Sequence, residues 1–312
     1  MSDRYPPALC RPFTRETARR AGVTGHELER GLRDGTLVRL RRGVLVVGDA
    51  YAALDDRGRH AWRAGAHLAA LKPPAAASHG TAALLFGLPV LWPVHRVEVT
   101  SPVATPSARA DIVLRKGPLP EHHRGSVDGI AVTTIARTVV DCARTRPLGQ
   151  AMVVADAALH RGLLTREQLA ALVRGTAGWP GAPRARRVAG AAQPAESPGE
   201  TLLRLDLAAL GVLDVQVQAV LAGHSGRCYR VDLLIVRLGV IAEFDGAVKY
   251  GGLDGRPGTD ALLAEKDRED DLRLAGWGVL RARWAELGNL ERLRRKLDAA
   301  CGQSRRGLRT AG

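Results

Sequence analysis

The sequence predicts a multi-domain α/β chain, and three observations carry this. The chain has 312 residues, of which 46% are apolar, so two or three domains can each bury a core. Along it, segments with helical spacing interchange with segments that alternate polar and apolar by two. From residue 196 the order reads helix, three strands, helix, strand, helix. Joining the third strand to the fourth through a helix demands a right-handed crossover, and therefore a parallel pair in a mixed sheet. The expected division is an N-terminal module over residues 1–50, a central α+β module over 51–176, and a linker over 177–195. A mixed sheet flanked by helices follows over 196–301, and 302–312 is a disordered basic tail.

Residues 1–50 predict a winged helix-turn-helix. Phe13–Ala21 forms a short helix with Thr14 as its cap, broken by Gly22-Val23-Thr24. Thr24 opens a second helix, Gly25–Asp34, with Glu27 three residues on as a capping box and Gly35 as its stop. Leu37–Val47 then runs as strand, turn and strand, with Arg41-Arg42-Gly43 at the tip. Two helices at a tight turn followed by a basic hairpin define the module. Arg30, Arg33, Arg39, Arg41 and Arg42 would meet phosphates. Such modules also serve as protein contacts, and no Asn or Gln stands out on the second helix to read a base.

The central module offers titratable residues but no assembled chemistry. Asp56–Leu71 is a helix ended by Lys72-Pro73-Pro74. His79 precedes the helix Ala82–Phe86 and reads as a capping or core histidine before a catalytic base. Val94–Thr100 and Asp111–Arg115 alternate like strands. Glu121-His122-His123-Arg124 lacks a matching second pair of ligands and reads as a solvated loop. Arg137 and Asp141 stand at i, i+4 on the helix Thr134–Ala143, the spacing of a surface ion pair. Asp156 shares a face with His160 on the helix Gln150–Arg161, a structural placement. Thr165 and Gln168 make a second capping box. The Gly, Pro, Ala and Arg-rich stretch that follows reads as a linker, with room for a short basic helix over Pro183–Ala192.

The C-terminal domain carries the strongest functional pattern. Ser197 caps a helix with Pro198 in its first turn and Glu200 at the third position, so Glu200 serves either the cap or a site. Val215–Leu221 is the first strand, and Tyr229–Val236 with Val240–Phe244 make a hairpin. If Arg237 faces Val240, Asp232 lies opposite Asp245, and Asp232, Glu243 and Asp245 share one face with Leu234 opposite Glu243. A three-residue bulged loop would instead send Asp232 to the other face. Three converging carboxylates repel, and a bound divalent cation would relieve them. Lys249 lies four residues past Asp245 and brings a positive charge near. On the helix Ala261–Ala275, Glu265, Arg268, Glu269 and Leu272 share a stripe. There Lys266, Arg268 and Arg273 either grip phosphate or belong to a solvated face.

Two resemblances add to this reading. The order from Glu196 to Leu287 resembles the PD-(D/E)xK nuclease fold in its very-short-patch-repair-like branch, a restriction-endonuclease-like architecture. It is similar to actinobacterial proteins carrying EFDG-x-x-KYG, EK-x-RED and GW-x-V-x-R-x-x-W, here Glu243–Gly251, Glu265–Asp270 and Gly276–Trp284. The resemblance implies metal-dependent cutting of nucleic-acid phosphodiesters, with Mg²⁺ or Mn²⁺ as cofactor. It carries Asp232 over as the first acid and Glu243 as the opening of the E-x-K element. Asp245 departs from the pattern, since it stands where the catalytic Lys is expected, and Lys249 is the substitute. The metal set so implied is Asp232 and Glu243 with Asp245 and Glu200. The run TARRAGVTGHELERGLRDGTLVRLRRGVLVV resembles the N-terminal domain of AbiEi-type antitoxins of type IV toxin–antitoxin systems. That implies DNA binding and a cognate toxin as partner.

Charge and compartment agree with a nucleic-acid partner. The net charge is +14 and the sequence pI about 10.6, which favours anionic partners but says nothing of fold. The start of the chain has no apolar core segment, no run of about 18 apolar residues occurs, and Cys10, Cys142, Cys228 and Cys301 are scattered. A cytoplasmic protein without membrane span or disulfide framework is expected. Three functions remain in competition: a metal-dependent nuclease delivered to DNA, an antitoxin-like regulator whose nuclease-like domain is silent, and a structural partner-binding module whose basic charge is incidental.

Overall fold

The computed structural model describes residues 5–246 and 259–307, with side chains from residue 263 in the second stretch. It is an α/β chain that divides into two compact units, Met1–Arg146 with Glu167–Ala189, and Pro147–Arg166 with Gly190–Gly312. Among the described residues no helix is long and apolar enough to cross a membrane.

The first unit opens with β1 (Phe13–Thr14), α1 (Arg15–Arg20), α2 (Gly25–Asp34), β2 (Leu37–Arg41) and β3 (Val44–Val47). Thr14 caps α1, and Thr24 with Glu27 forms the full capping box on α2. Gly35 ends α2 at φ 78°, the left-handed geometry that glycine adopts without steric cost. The strands form an antiparallel sheet in the order β1-β3-β2, closed over Leu9, Phe13, Ala18, Leu28, Leu37 and Leu45.

The remainder of this unit is α3 (Gly48–Ala52), α4 (Asp56–Leu68), β4 (Ala76–Ala77), α5 (His79–Leu85), β5 (Val97–Ser101) and β6 (Ser107–Ala108). It continues with β7 (Ile112–Lys116), β8 (Arg124–Val127), β9 (Ile130–Thr133) and α6 (Ile135–Thr145). Six strands make one mixed sheet in the order β6-β7-β5-β4-β9-β8, with β5/β7 and β4/β9 parallel. Short strands such as β4 and β6 carry too few residues for alternation to mark them. Arg137 and Asp141 overturn the surface pair expected of them. They are 2% and 0% exposed, and Arg137 Nε donates to Asp141 at 2.9 Å inside the unit.

The chain leaves this unit for α7 (Leu148–His160) and returns for α8 (Arg166–Arg174), which begins at a unit boundary, and α9 (Ala182–Ala191), which ends across one. Within the stretch expected as a linker, the short helix expected over Pro183–Ala192 forms as α9, with Ala182, Ala185 and Val188 buried. Small residues at helical spacing pack closely, and their low hydrophobicity hides that from composition.

The second unit contains α7, α10 (Pro198–Ala209), β10 (Val215–Ala222), β11 (Cys228–Ile235), β12 (Val240–Asp245), α11 (Thr259–Leu274), β13 (Gly278–Arg283) and α12 (Leu290–Gln303). The sheet runs β10-β11-β12-β13, antiparallel except for the parallel pair β12/β13 that the crossover through α11 requires. Leu203, Leu207, Leu233, Ile235, Leu293 and Leu297 build the core on the side of α10 and α12. Leu234, Ile241 and Leu272 build a smaller one on the side of α11.

α7 joins this unit because Asp156 is fully buried against α10. Asp156 accepts from Arg204 at 2.7 Å, from Thr201 Oγ1 at 3.0 Å and from the Gln193 N–H at 2.8 Å. The basic tail is also partly fixed, where disorder was expected. Arg305 N–H donates to Gly276 O at 2.9 Å, Ser304 Oγ to Gly239 O at 3.0 Å, and the Arg306 guanidinium lies 4.6 Å from the Trp277 ring centre. These groups satisfy carbonyls that the two glycine turns leave open.

Removing Asp156 strands a buried guanidinium. Asp156→Ala is expected to destabilise the second unit by roughly 3–5 kcal/mol, read as a fall in its urea midpoint with the slope preserved.

Candidate functional site

The site is set by the hairpin register. Leu233 pairs with Ala242, Leu234 with Ile241 and Ile235 with Val240, leaving Val236–Gly239 as a four-residue loop. One step further along both strands puts Asp232 across from Glu243, not Asp245, and Leu234 sits opposite Ile241, not Glu243. The expected register is thus two residues out. A shift of two preserves the faces, so Asp232, Glu243 and Asp245 still point to the α11 side. The Leu-Gly pair did not make the tight two-residue turn, because that turn prefers Asn-Gly or Asp-Gly.

An open cleft of about 290 Å³ collects Asp232, Glu243, Asp245, Glu265, Arg268 and Arg281. Glu243 is 8% exposed, and its carboxylate takes Arg268 at 2.6 Å and Arg281 at 3.5 Å. Arg268 comes from α11, where it also donates to Glu265 at 3.1 Å and to the Arg230 carbonyl at 3.0 Å. Arg281 comes from β13, where the parallel register places it beside Glu243, and it pairs with Glu265 and with Glu269 at 2.9 Å. Asp245 takes Arg283 at 3.2 Å at the cleft's edge. The α11 stripe of Glu265, Arg268, Glu269 and Leu272 is therefore turned onto the sheet rather than left as a solvated face.

Asp232 is treated differently. It accepts the Phe244 N–H at 2.9 Å and forms no ion pair among the described residues. Burial pushes its carboxyl up to about 6, the Phe244 N–H pulls the other way, and Glu200 and Glu243 add to the rise. Glu200 is buried on α10, where its carboxylate accepts the Glu196 N–H at 3.1 Å and Gln218 Nε2 at 2.9 Å. Only half the expected capping box forms: Ser197 Oγ accepts the Glu200 N–H at 3.2 Å, while the Glu200 side chain reaches Glu196. Gln218 sits at φ 53° on β10, between the pairs Val217–Leu233 and Ala219–Val231. A non-glycine residue held in that region is strained, and Gln218 donates its amide to Glu200 from it.

Sequence reasoning found Asp232, Glu243, Asp245 and Glu200, and the structure gathers the first three in the cleft with Glu200 close enough to bear on Asp232. Lys249 lies outside the described residues. Lys266 is exposed on α11. Arg281 and Gln218 were missed. The one signal for Arg281 was its place in the GW-x-V-x-R pattern, and nothing in a Val-Gln alternation marks Gln218. Among the described residues, no three His, Cys, Asp or Glu side chains come together as a metal site.

In the first unit, Arg30, Arg33, Arg39 and Arg42 are exposed on α2, β2 and the hairpin tip. Arg41 is partly turned away and donates to the Ala66 carbonyl at 3.4 Å. Glu29 is the acid among these cations, and its bond to Arg15 holds its carboxyl below the usual range. His123 accepts from Arg137 at 3.1 Å through Nδ1, so that nitrogen is already engaged.

No family model and no curated protein matches the chain. Among solved structures it is similar to the RV2827C protein from Mycobacterium tuberculosis. The identity is 17% and the TM-score 0.43, over 59% of this chain and 73% of that one. A likeness of that degree carries no functional argument.

The raised Asp232 carboxyl has a consequence for stability. Its folded value lies above the ordinary aspartate value of about 3.9, so the folded state holds the extra proton between about 4 and 6. Stability contributed by this group is present at low pH and lost as pH rises through that window. Asp232→Asn keeps an acceptor for Phe244 and is expected to stabilise the unit above pH 6 by on the order of 2 kcal/mol. The gain should vanish below about pH 4 in paired urea titrations.

Proposed function

We propose that the protein binds nucleic acid and that its second unit, built on the PD-(D/E)xK plan, cuts phosphodiesters. The observation that supports this best is one open cleft holding Asp232 and Glu243 together with the guanidinium groups of Arg268 and Arg281. Acids and cations in one cleft are what phosphodiester hydrolysis needs: the acids hold an ion or a water, and the cations meet charge developing on phosphate oxygens. Asp245 stands at the sheet position where a Lys is expected, and Arg268 and Arg281 bring positive charge to the place from α11 and β13.

The donor chemistry fits a hard divalent cation. Burial first, and the nearby Glu200 and Glu243 after it, raise the Asp232 carboxyl, and neither Asp232 nor Glu200 has a cationic partner among the described residues. Asp232 and Glu243 would hold Mg²⁺ or Mn²⁺, with Glu200 and Asp245 alongside. When bound, such an ion supplies Lewis-acid stabilisation and an acidified water. The chain's own part is to orient Asp232 through Phe244 N–H, to hold Glu200 through Gln218, and to offer Arg268 to the phosphate.

The first unit supports delivery to DNA: two helices, a hairpin, and exposed Arg30, Arg33, Arg39 and Arg42. This fits an AbiEi-like winged helix. Arg41, with its guanidinium on Ala66, contributes less.

One observation favours a second reading, an antitoxin-like regulator with a silent nuclease-like unit acting beside a cognate toxin. Arg268 bonds Glu243 at 2.6 Å, which leaves the acid already neutralised. The two readings separate on supercoiled plasmid with Mn²⁺ or Mg²⁺. Cutting is expected from the parent, none from Asp232→Asn/Glu243→Gln, and at least roughly a hundredfold less from Arg268→Ala. A parent that binds and never cuts would establish the silent reading in its place.

Binding itself is checked by anisotropy of a labelled duplex against salt. Removing Arg30 and Arg33 together is expected to lower the slope of log K on log salt by about two, with little dependence on sequence.

A further inference from the structure

A large cavity of the first unit is lined by none of the arginines of α2 and the hairpin. It measures about 840 Å³, and its charged lining is Arg115, Lys116, Arg137, Arg144 and Arg184 against the one carboxylate of Asp141. That is five cations to one anion around one open cavity, too strong a bias for a packing defect. Like charges gathered around a cavity repel unless something negative sits among them.

Three of these cations are held in place. Arg137 donates to Asp141 at 2.9 Å and to the Pro118 carbonyl at 2.8 Å, and Arg144 donates to Asp141 at 3.1 Å and to the Pro180 carbonyl at 2.7 Å. Arg115 is fixed by Glu98 at 2.9 Å, and its buried Nε has no partner. Guanidiniums fixed in this way lose little freedom on meeting an anion.

The uncharged lining says what else the ligand carries. Trp179 stands with Arg137 and Arg144 at 4.5 and 4.9 Å from its ring centre. Val113, Leu114, Pro106 and Pro118 supply apolar wall. Buried His79 bonds Ser78 Oγ through Nδ1 at 2.9 Å, which leaves Nε2 for a ligand. Burial, with the surrounding arginines, lowers the His79 pKa well below the usual range, so the ring is neutral and able to donate or accept one hydrogen bond. The volume falls in the range of about 300–1,000 Å³ typical of small-molecule sites. A bare phosphate would leave most of it empty.

We propose that this cavity is a binding site for a nucleoside phosphate, its phosphates among Arg115, Arg144, Lys116 and Arg184 and its flat base against the apolar wall. The ligand would couple a small metabolite to a protein whose other cationic surface faces nucleic acid.

Calorimetry of the full chain at low salt tests this with ADP, adenosine and inorganic phosphate as separate titrants. ADP is expected to bind saturably at one site, at least roughly tenfold tighter than either fragment. Lys116 and Arg184 are exposed, so Lys116→Ala/Arg184→Ala should fold and weaken ADP by roughly tenfold or more. Arg30→Ala/Arg33→Ala, on the distant helix α2, should leave ADP binding unchanged. Absence of saturable heat with ADP would overturn the proposal. So would equal affinity for phosphate and ADP, or an equal loss in the α2 variant.

Discussion

A buried carboxylate set between two arginines is the interaction on which this structure depends. Glu243 lies between Arg268 and Arg281, Glu98 between Arg115 and Arg146, and Asp141 between Arg137 and Arg144. A lone carboxylate cannot be withdrawn from water without a partner, and the planar fork of arginine meets it with fixed geometry. In each case the partners come from different elements or from successive turns of one helix. Where the partners come from different elements, as at Glu243 and Glu98, the pairing fixes where those elements stand. Such pairs favour one arrangement over its neighbours more than they add stability, since burying two charges costs nearly what their attraction returns.

The same interaction shapes both candidate sites. In the second unit, Glu243 holds α11 against the sheet through Arg268, and among the described residues Asp232 and Glu200 beside it have no cation. Burial, with Glu200 and Glu243 adding to it, raises the Asp232 carboxyl and makes the cleft receptive to a positive ion or a proton. In the first unit, Asp141 and Glu98 anchor more guanidinium groups than they neutralise. The excess faces a cavity. One arrangement leaves surplus negative charge and the other surplus positive charge, and each surplus names the class of ligand it would take.

Part of this was legible without coordinates. The caps on α1, α2 and α10, the stop at Gly35, the β10–β11–β12 run and the parallel pair after α11 all follow from local chemistry or from handedness. Asp232, Glu243 and Asp245 could be assigned to one face because alternation survives any even shift of register. The two-residue error in register came from the loop, where Val236 to Gly239 turn together and no residue type demanded a tighter turn. The surface placement of Arg137 and Asp141 came from spacing alone, which cannot tell a solvated face from one packed under Trp179.

The sequence by itself determined the order of elements, the faces of the strands and the overall positive charge, because each depends on residues within a few positions of one another or on a plain count. Tertiary structure decided which charges meet: Arg281 beside Glu243, Gln218 on Glu200, Arg204 on Asp156, and the cations around the first unit's cavity. The physical reason is that these pairs are closed by strand register and helix packing over tens of residues. A charge's meaning in this chain comes from its partner, and the partner is chosen only when the chain folds.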